Sequence, residues 1–300
     1  MFSDCTRRLT GYRIPALALC AFVALAASAQ AQALNIVTSI HPVESIVRSV
    51  GGDAVTTQLL ISDAASPHSF ALKPSHLQAL SQADLVVWVG PGIETFLPRA
   101  LRATDTPHLQ WGEDLGESDE HHDHHDHDHS GPDPHLWMAP DASARFAARV
   151  ANRLSELEPQ RAALFRANAK RFSAELASLD RDLTARFDKA DAKPVAVVHN
   201  AYSHFTLHYG LPDPIALTDL AEELPSARDA RRAKQALDTL DAGCVLIEPT
   251  TNPRWLRLLA SDETRSLRRI DPIGRDIARG PDLYFTLLNN VADAFSTCSD

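Results

Sequence analysis

Residues 141 to 189 contain no glycine and a single proline, Pro159. Within that stretch apolar side chains return at steps of three and four, at Phe165, Ala169, Phe172, Leu176, Leu179, Leu183 and Phe187. The spacing predicts one amphipathic helix over 159–189, about thirty residues against a usual mean of about twelve. Its heptad-like steps stop short of the roughly three to four heptads that a coiled coil needs. What flanks the helix makes it a connector. Before it, β-rich runs at 34–40, 55–61 and 84–90 alternate with helix-like segments at 42–50 and 74–82. After it, the alternation restarts with strands at 194–199 and 244–249 and helices near 228–239 and 252–260. Such wiring predicts an α/β protein of two Rossmann-like lobes, each with a central parallel sheet, joined by the long helix. The boundaries are an N-terminal lobe over 34–158, the linker helix over 159–189 and a C-terminal lobe over 190–300.

The first residues follow a different logic. Arg7, Arg8 and Arg13 precede an apolar run from Ile14 to Ala27, and small residues then recur at Ala27, Ala29, Ala31 and Ala33. This is the pattern of a secretory signal peptide over 1–31, with cleavage near Ala31 or Ala33. The run is shorter than the ~20 residues of a membrane span, and Leu19 stands where a lipid anchor at Cys20 would need a small residue. The product is therefore expected in the periplasm. Losing Asp4, Arg7, Arg8 and Arg13 with the signal makes the formal charge of −10 more negative by two. An acidic chain of that kind does not favour nucleic acid. Cys5 and Cys20 also leave. Cys244 and Cys298 remain as an even pair in an oxidising compartment with no C-x-x-C spacing. A disulfide between them is expected, in preference to two separate buried thiols.

Six of the fourteen histidines lie in "HHDHHDHDH", at 121, 122, 124, 125, 127 and 129. The surrounding stretch, 117–130, is acidic and has no apolar periodicity, so it reads as a surface loop. Flexible imidazoles among carboxylates collect cations weakly, which suits His121, His122, His124, His125, His127 and His129 to an auxiliary metal-gathering role. An ordered site needs ligands from elsewhere. Neither H-E-x-x-H nor a paired-cysteine motif is present, so distant loops that follow strands must supply them. His68 in "SPHSF", His135 in "DPHLW" and His199, closing "PVAVVH", stand in such places. Asp271 in "RIDPIG", where Pro272 and Gly274 fix a turn, is the carboxylate candidate. Asp133 is a candidate to orient His135 through an outer hydrogen bond. Trp137 is read as lobe packing, and His41, His76, His108 and His208 as histidines that do not touch metal.

The segments "SPHSFALKPS", "ADLVVWVGPGIE", "DPHLWMAP", "VVHNAYSHF", "LIEPT" and "IDPIG" together resemble the zinc-specific solute-binding proteins of bacterial ABC importers. These form the ZnuA-like branch of a group that also holds manganese binders and streptococcal adhesin-type lipoproteins. The resemblance runs from about Leu34 to the C-terminus. It implies two α/β lobes on a rigid connecting helix, with metal in the cleft between His68 and His135 of one lobe and His199 and Asp271 of the other. Manganese-binding relatives carry glutamate where His199 stands, and three imidazoles with one carboxylate favour zinc. The acidic histidine-rich loop before "DPHLW" is likewise a feature of the zinc branch. Two positions depart from the family pattern: Pro67 and Ser69 flank the first ligand where relatives often have an acidic residue, and His204 replaces a tyrosine.

The resemblance implies a monomeric receptor that carries Zn2+ to an ABC permease. No G-x-x-x-x-G-K-[ST] stretch is present, so a separate ATPase must supply the energy. A periplasmic zinc hydrolase is the alternative, with Glu248 in "LIEPT" as its only base candidate; a zinc-buffering chaperone is another. No nucleophile elbow or comparable catalytic motif accompanies these residues, so the chain is not expected to be an enzyme.

Overall fold

The structure, a computed structural model, describes residues 32–61, 65–116, 132–189, 192–239, 244–261 and 265–299. The signal segment 1–31 and the histidine-rich loop 117–130 lie outside the described residues. Eight strands form two sheets. The first takes β1 (Leu34–Thr38), β2 (Val55–Leu59), β3 (Leu85–Trp88) and β4 (His108–Gln110) in the order β2-β1-β3-β4. The second takes β5 (Ala196–Val197), β6 (Ile215–Ala216), β7 (Cys244–Ile247) and β8 (Ser266–Arg269) in the order β6-β5-β7-β8. Every pairing is parallel, and the strand order repeats between the sheets. Their central strands read as near-continuous Val, Ile and Leu because helices cover both faces.

The helices are α1 (His41–Gly51), α2 (Pro74–Ser81), α3 (Leu97–Thr104), α4 (Pro140–Leu157), α5 (Ala162–Phe187), α6 (Ser203–His208), α7 (Ala227–Thr239), α8 (Pro253–Ala260) and α9 (Leu283–Ser299). Proline occupies the first turn of α1, α2, α3, α4 and α8. Its fixed φ suits a helix start, where its missing N–H would have had no partner. The glycine-free stretch splits at Pro159 into α4 and α5. A short 3-10 turn, Pro159–Arg161, leads into the 26-residue α5 that connects the sheets. Six of the seven apolar positions on its stripe are buried, and Leu179 is partly so.

Three strands escape the sequence pattern, and each is short or polar. β4 has three residues, β6 has two, and β8 reads Ser-Leu-Arg-Arg with mostly exposed side chains. All three are edge strands, where one face of apolar residues is not required.

One continuous core runs from the first sheet through α4 and α5 to α9, and reaches Tyr202 and Phe205 beside the second sheet. A smaller core lies on the second sheet beneath α7 and α8, centred on the fully buried Trp255. The segment before α9 is bonded to the N-terminal half. Trp137 donates its indole N–H to the Pro272 carbonyl at 2.7 Å, and the Tyr284 hydroxyl donates to the Trp137 carbonyl at 2.8 Å. Ser45 donates its hydroxyl to the Pro281 carbonyl at 3.0 Å. Arg279 meets the buried Glu44 of α1, its Nε lying 2.8 Å from the carboxylate. Trp137, read from the sequence as lobe packing, is buried and tied to the segment after β8, and its ring lies 5.3 Å from that of His135. Cys244 of β7 and Cys298 of α9 form a disulfide.

Candidate metal centre

Three imidazoles converge beyond the C-terminal ends of the strands, the usual place for a ligand in an open α/β sheet. His68 lies on the segment that follows β2, its backbone N–H donating to the Ser66 hydroxyl at 3.3 Å. His135 directly precedes the 3-10 turn Leu136–Met138 that starts α4, and His199 lies two residues past β5. One ligand nitrogen from each ring lies within 4.8 Å of the others, the only such group among the described residues. Ring centroids are 5.0 to 5.5 Å apart. Tetrahedral zinc with Zn–N near 2.1 Å holds its nitrogens ~3.4 Å apart, so closing on an ion takes side-chain shifts of about 1 Å. Between the rings is a cavity of about 20 Å³.

Carboxylates fix the orientation of two rings. His135 Nδ1 is 2.7 Å from Asp133 Oδ1, and His199 Nδ1 is 3.1 Å from Glu248 Oε1. With Nδ1–H donated to a carboxylate, Nε2 keeps its lone pair and faces inward; His135 Nε2 is buried and has no partner in the protein. Glu248 sits at the end of β7. Its backbone N–H donates to the Thr251 hydroxyl oxygen at 2.8 Å, and the Thr250 hydroxyl donates to Oε2 at 3.4 Å. Asp133 also accepts the His135 backbone N–H at 3.0 Å.

Electrostatics distinguish the three rings. Burial pushes His68 down to about 3, helped by repulsion from His135 and His199. Burial also lowers His135, against the pull of Asp133. In His199 the same burial is overcome by the Glu248 hydrogen bond and by the charges of Glu248, Glu222 and Asp133, so its value is raised. Burial alone would raise Asp133, yet the hydrogen bond and charge of His135 bring it to about 2. The site thus keeps one basic imidazole beside two that resist protonation.

Asp271 is not brought into this group. Its oxygens accept the backbone N–H of Ile273 at 3.2 Å and the guanidinium of Arg275 at 3.0 Å. It also accepts the Arg275 backbone N–H. The turn that makes this possible passes through Gly274 at φ +70°, where a Cβ would lie 3.0 Å from Ile277 Cδ1. The sequence placed Asp271 at a turn fixed by Pro272 and Gly274 but gave no signal that an arginine four residues later would claim its carboxylate. His204 stands behind His135, its Nε2–H donating to the Asp133 carbonyl at 2.9 Å. His208 pairs with Asp180 at 2.7 Å, His76 accepts from the Lys73 backbone, His41 is buried in α1 and His108 lies in β4. Glu222, Thr250 and Arg275, which line the cavity, were missed. Of the two carboxylates in that lining only Glu248 had been singled out, and for another role.

Two repeated parallel sheets, a connecting helix and a cleft of converging imidazoles define a bilobal metal-binding protein. Known structures share this fold. A crystal structure of ZnuA matches with a TM-score of 0.77 at 24% identity, covering 90% of this chain and all of that one. The laminin-binding adhesin Lmb of Streptococcus agalactiae matches at 0.74 and 20% identity, covering 87% of this chain and 99% of that one. The sequence profile of the family described as "Zinc-uptake complex component A periplasmic" matches residues 36–298, and the chain belongs to that family. Among named relatives, the high-affinity zinc uptake system protein ZnuA of Paracoccus denitrificans is 32% identical, over 90% of this chain and 93% of its own. That of Yersinia pestis is 30% identical, over 88% and 90%.

Proposed function

We propose that this protein is the periplasmic zinc receptor of an ABC importer. It captures Zn2+ between His68, His135 and His199 and passes it to a membrane permease driven by a separate ATPase. The observation that carries the reading is the convergence of three imidazoles from three distant segments, two of them aimed by carboxylates. Such a set suits a borderline cation. Membership of the zinc-uptake family and the zinc-uptake relatives support the cargo. The chain acts as a monomer, reaches the periplasm through the signal over 1–31, and catalyses nothing. Glu248, the base a hydrolase would use, is engaged with His199, which favours capture over hydrolysis. The histidines of 117–130 gather zinc weakly and feed the cleft.

Competitive zinc titration tests this reading. His68→Ala, His135→Ala and His199→Ala should each remove the single tight site, and deletion of 117–130 should leave it. Tight binding that survives the three substitutions, or disappears with the deletion, refutes the assignment.

A further inference from the structure

His135 ends a stretch, residues 132–135, that belongs to no strand or helix. The stretch is nevertheless held at three points. The Asp133 carbonyl accepts from His204 at 2.9 Å, the Pro134 carbonyl accepts the Leu136 N–H at 2.9 Å, and the Pro134 ring lies against Gly92. A Cβ on Gly92 would stand 2.9 Å from Pro134 Cβ and 3.3 Å from its Cγ, whereas carbons in ordinary contact sit ~3.5 to 4.0 Å apart. Gly92 is not among the glycines with positive φ, so closeness to Pro134, not backbone conformation, is what requires glycine here.

Gly92 lies in a turn, 90–94, that Glu94 closes. The Glu94 backbone N–H donates to the Gly90 carbonyl at 2.9 Å. Its carboxylate folds back to accept the N–H of Gly90 at 2.9 Å and of Val89 at 3.3 Å, and its carbonyl accepts the Leu97 N–H at 3.0 Å, where α3 begins. Of the three glutamates buried among the described residues, Glu44 meets Arg279 and Glu248 meets His199, whereas Glu94 binds backbone N–H groups. A carboxylate taken so far from water is costly, and what it gains here is a turn locked between the end of β3 and the start of α3.

We propose that the turn 90–94 is the seat that sets where His135 stands, with Glu94 a positioning residue for zinc capture and Gly92 the surface on which Pro134 rests. The proposal rests on the three-imidazole reading above. Glu94 fixes the turn, the turn fixes Pro134, and Pro134 leads directly into His135. The three ligand nitrogens lie within 4.8 Å and must close to ~3.4 Å around zinc, so a shift of about half an ångström at Pro134 is a sizeable part of that closure.

Zinc competition titration, urea unfolding and the visible spectrum of bound cobalt(II) on the purified protein test this. The variants are Gly92→Ala, Pro134→Gly, the two combined, Glu94→Ala and His135→Ala. Gly92→Ala should bind one zinc about tenfold more weakly and shift the cobalt bands, with a parent-like urea midpoint because Gly92 is exposed. In the Pro134→Gly background the same substitution should change affinity by less than about twofold, since the atoms it collides with are gone. Glu94→Ala should also weaken zinc and shift the bands; if it does not fold, Glu94→Asp, too short to reach both N–H groups, takes its place with the same expectation. If His135→Ala loses binding while Gly92→Ala keeps the parent affinity and spectrum, the seat is overturned and the three-imidazole site stands. An equal loss from Gly92→Ala in both backgrounds overturns it too, as does a Glu94 variant that loses stability but binds zinc like the parent. If His135→Ala binds like the parent, the underlying reading fails instead.

Discussion

Glu248→Gln removes the charge behind His199 while keeping the shape of the side chain. The contact is buried, with side chains 8% and 5% exposed and Nδ1···Oε1 at 3.1 Å, so solvent does little to screen it. Outer carboxylates of this kind contribute about 10- to 100-fold to metal affinity, or roughly 1.4 to 2.7 kcal/mol. The effect has a definite pH dependence. Glu248 raises the His199 pKa, so in the parent a proton on His199 competes with zinc as pH falls through that raised value, above the ordinary 6.5. His68, at about 3, and His135, which is lowered, stay neutral over the same range. The parent should therefore lose affinity by about one proton per zinc as pH falls through that raised value, not three. In Glu248→Gln that proton leaves more easily, so the deficit should be largest above that value and narrow below it. Zinc competition titration at several pH values, with circular dichroism to establish folding, measures both quantities. Parent-like affinity above the raised value, or a deficit that does not change with pH, refutes the reasoning.

Three further outcomes concern stability. Arg279→Ala strips the buried Glu44 of its principal cation; because Arg279 is itself 44% exposed and Arg48 and Thr57 remain near Glu44, the loss should be about 1.5 to 3 kcal/mol in urea unfolding. Cys298→Ser opens a link between residues 54 apart, worth about 4 kcal/mol on the chain-entropy account, and the variant's midpoint should match that of the reduced parent. Burial raises Glu94 to about 7 although it accepts the backbone N–H of Val89 and Gly90. Because its folded value exceeds the unfolded one, stability is full below about pH 4.5 and declines by about 3 kcal/mol as pH rises to 7; Glu94→Gln should flatten that slope in denaturation at stepped pH.

Much of this architecture was legible because burial writes itself into sequence. Strands β1, β3 and β7 are covered on both faces and stand out as apolar runs, and the stripe from Phe165 to Phe187 shows helical period because one face packs on the core. β4, β6 and β8 bury too little to leave such a trace. The three histidines were legible from their places after strands and within recognisable segments. The carboxylates were less so, since each role depends on a contact across long stretches of chain. Glu248 reaches His199 across 49 residues, and Glu222 lines the cavity on a segment bonded to Asn252, 30 residues away. Asp271 shows the converse: its partner is local, but the turn at Gly274 decides whether the carboxylate looks toward the rings or toward Arg275.

The bonds from Trp137 to Pro272, from Tyr284 to Trp137 and from Ser45 to Pro281 bolt the final helix to the opposite half of the molecule. A receptor fastened in this way has little leverage to gape like a pair of jaws. The smaller core beneath α7 and α8 is expected to be the part that loosens when the ion leaves, since fewer buried side chains hold it. Amide exchange that quickens around Trp255 during discharge, with the Tyr284 region staying protected, would be the mark of such a latch.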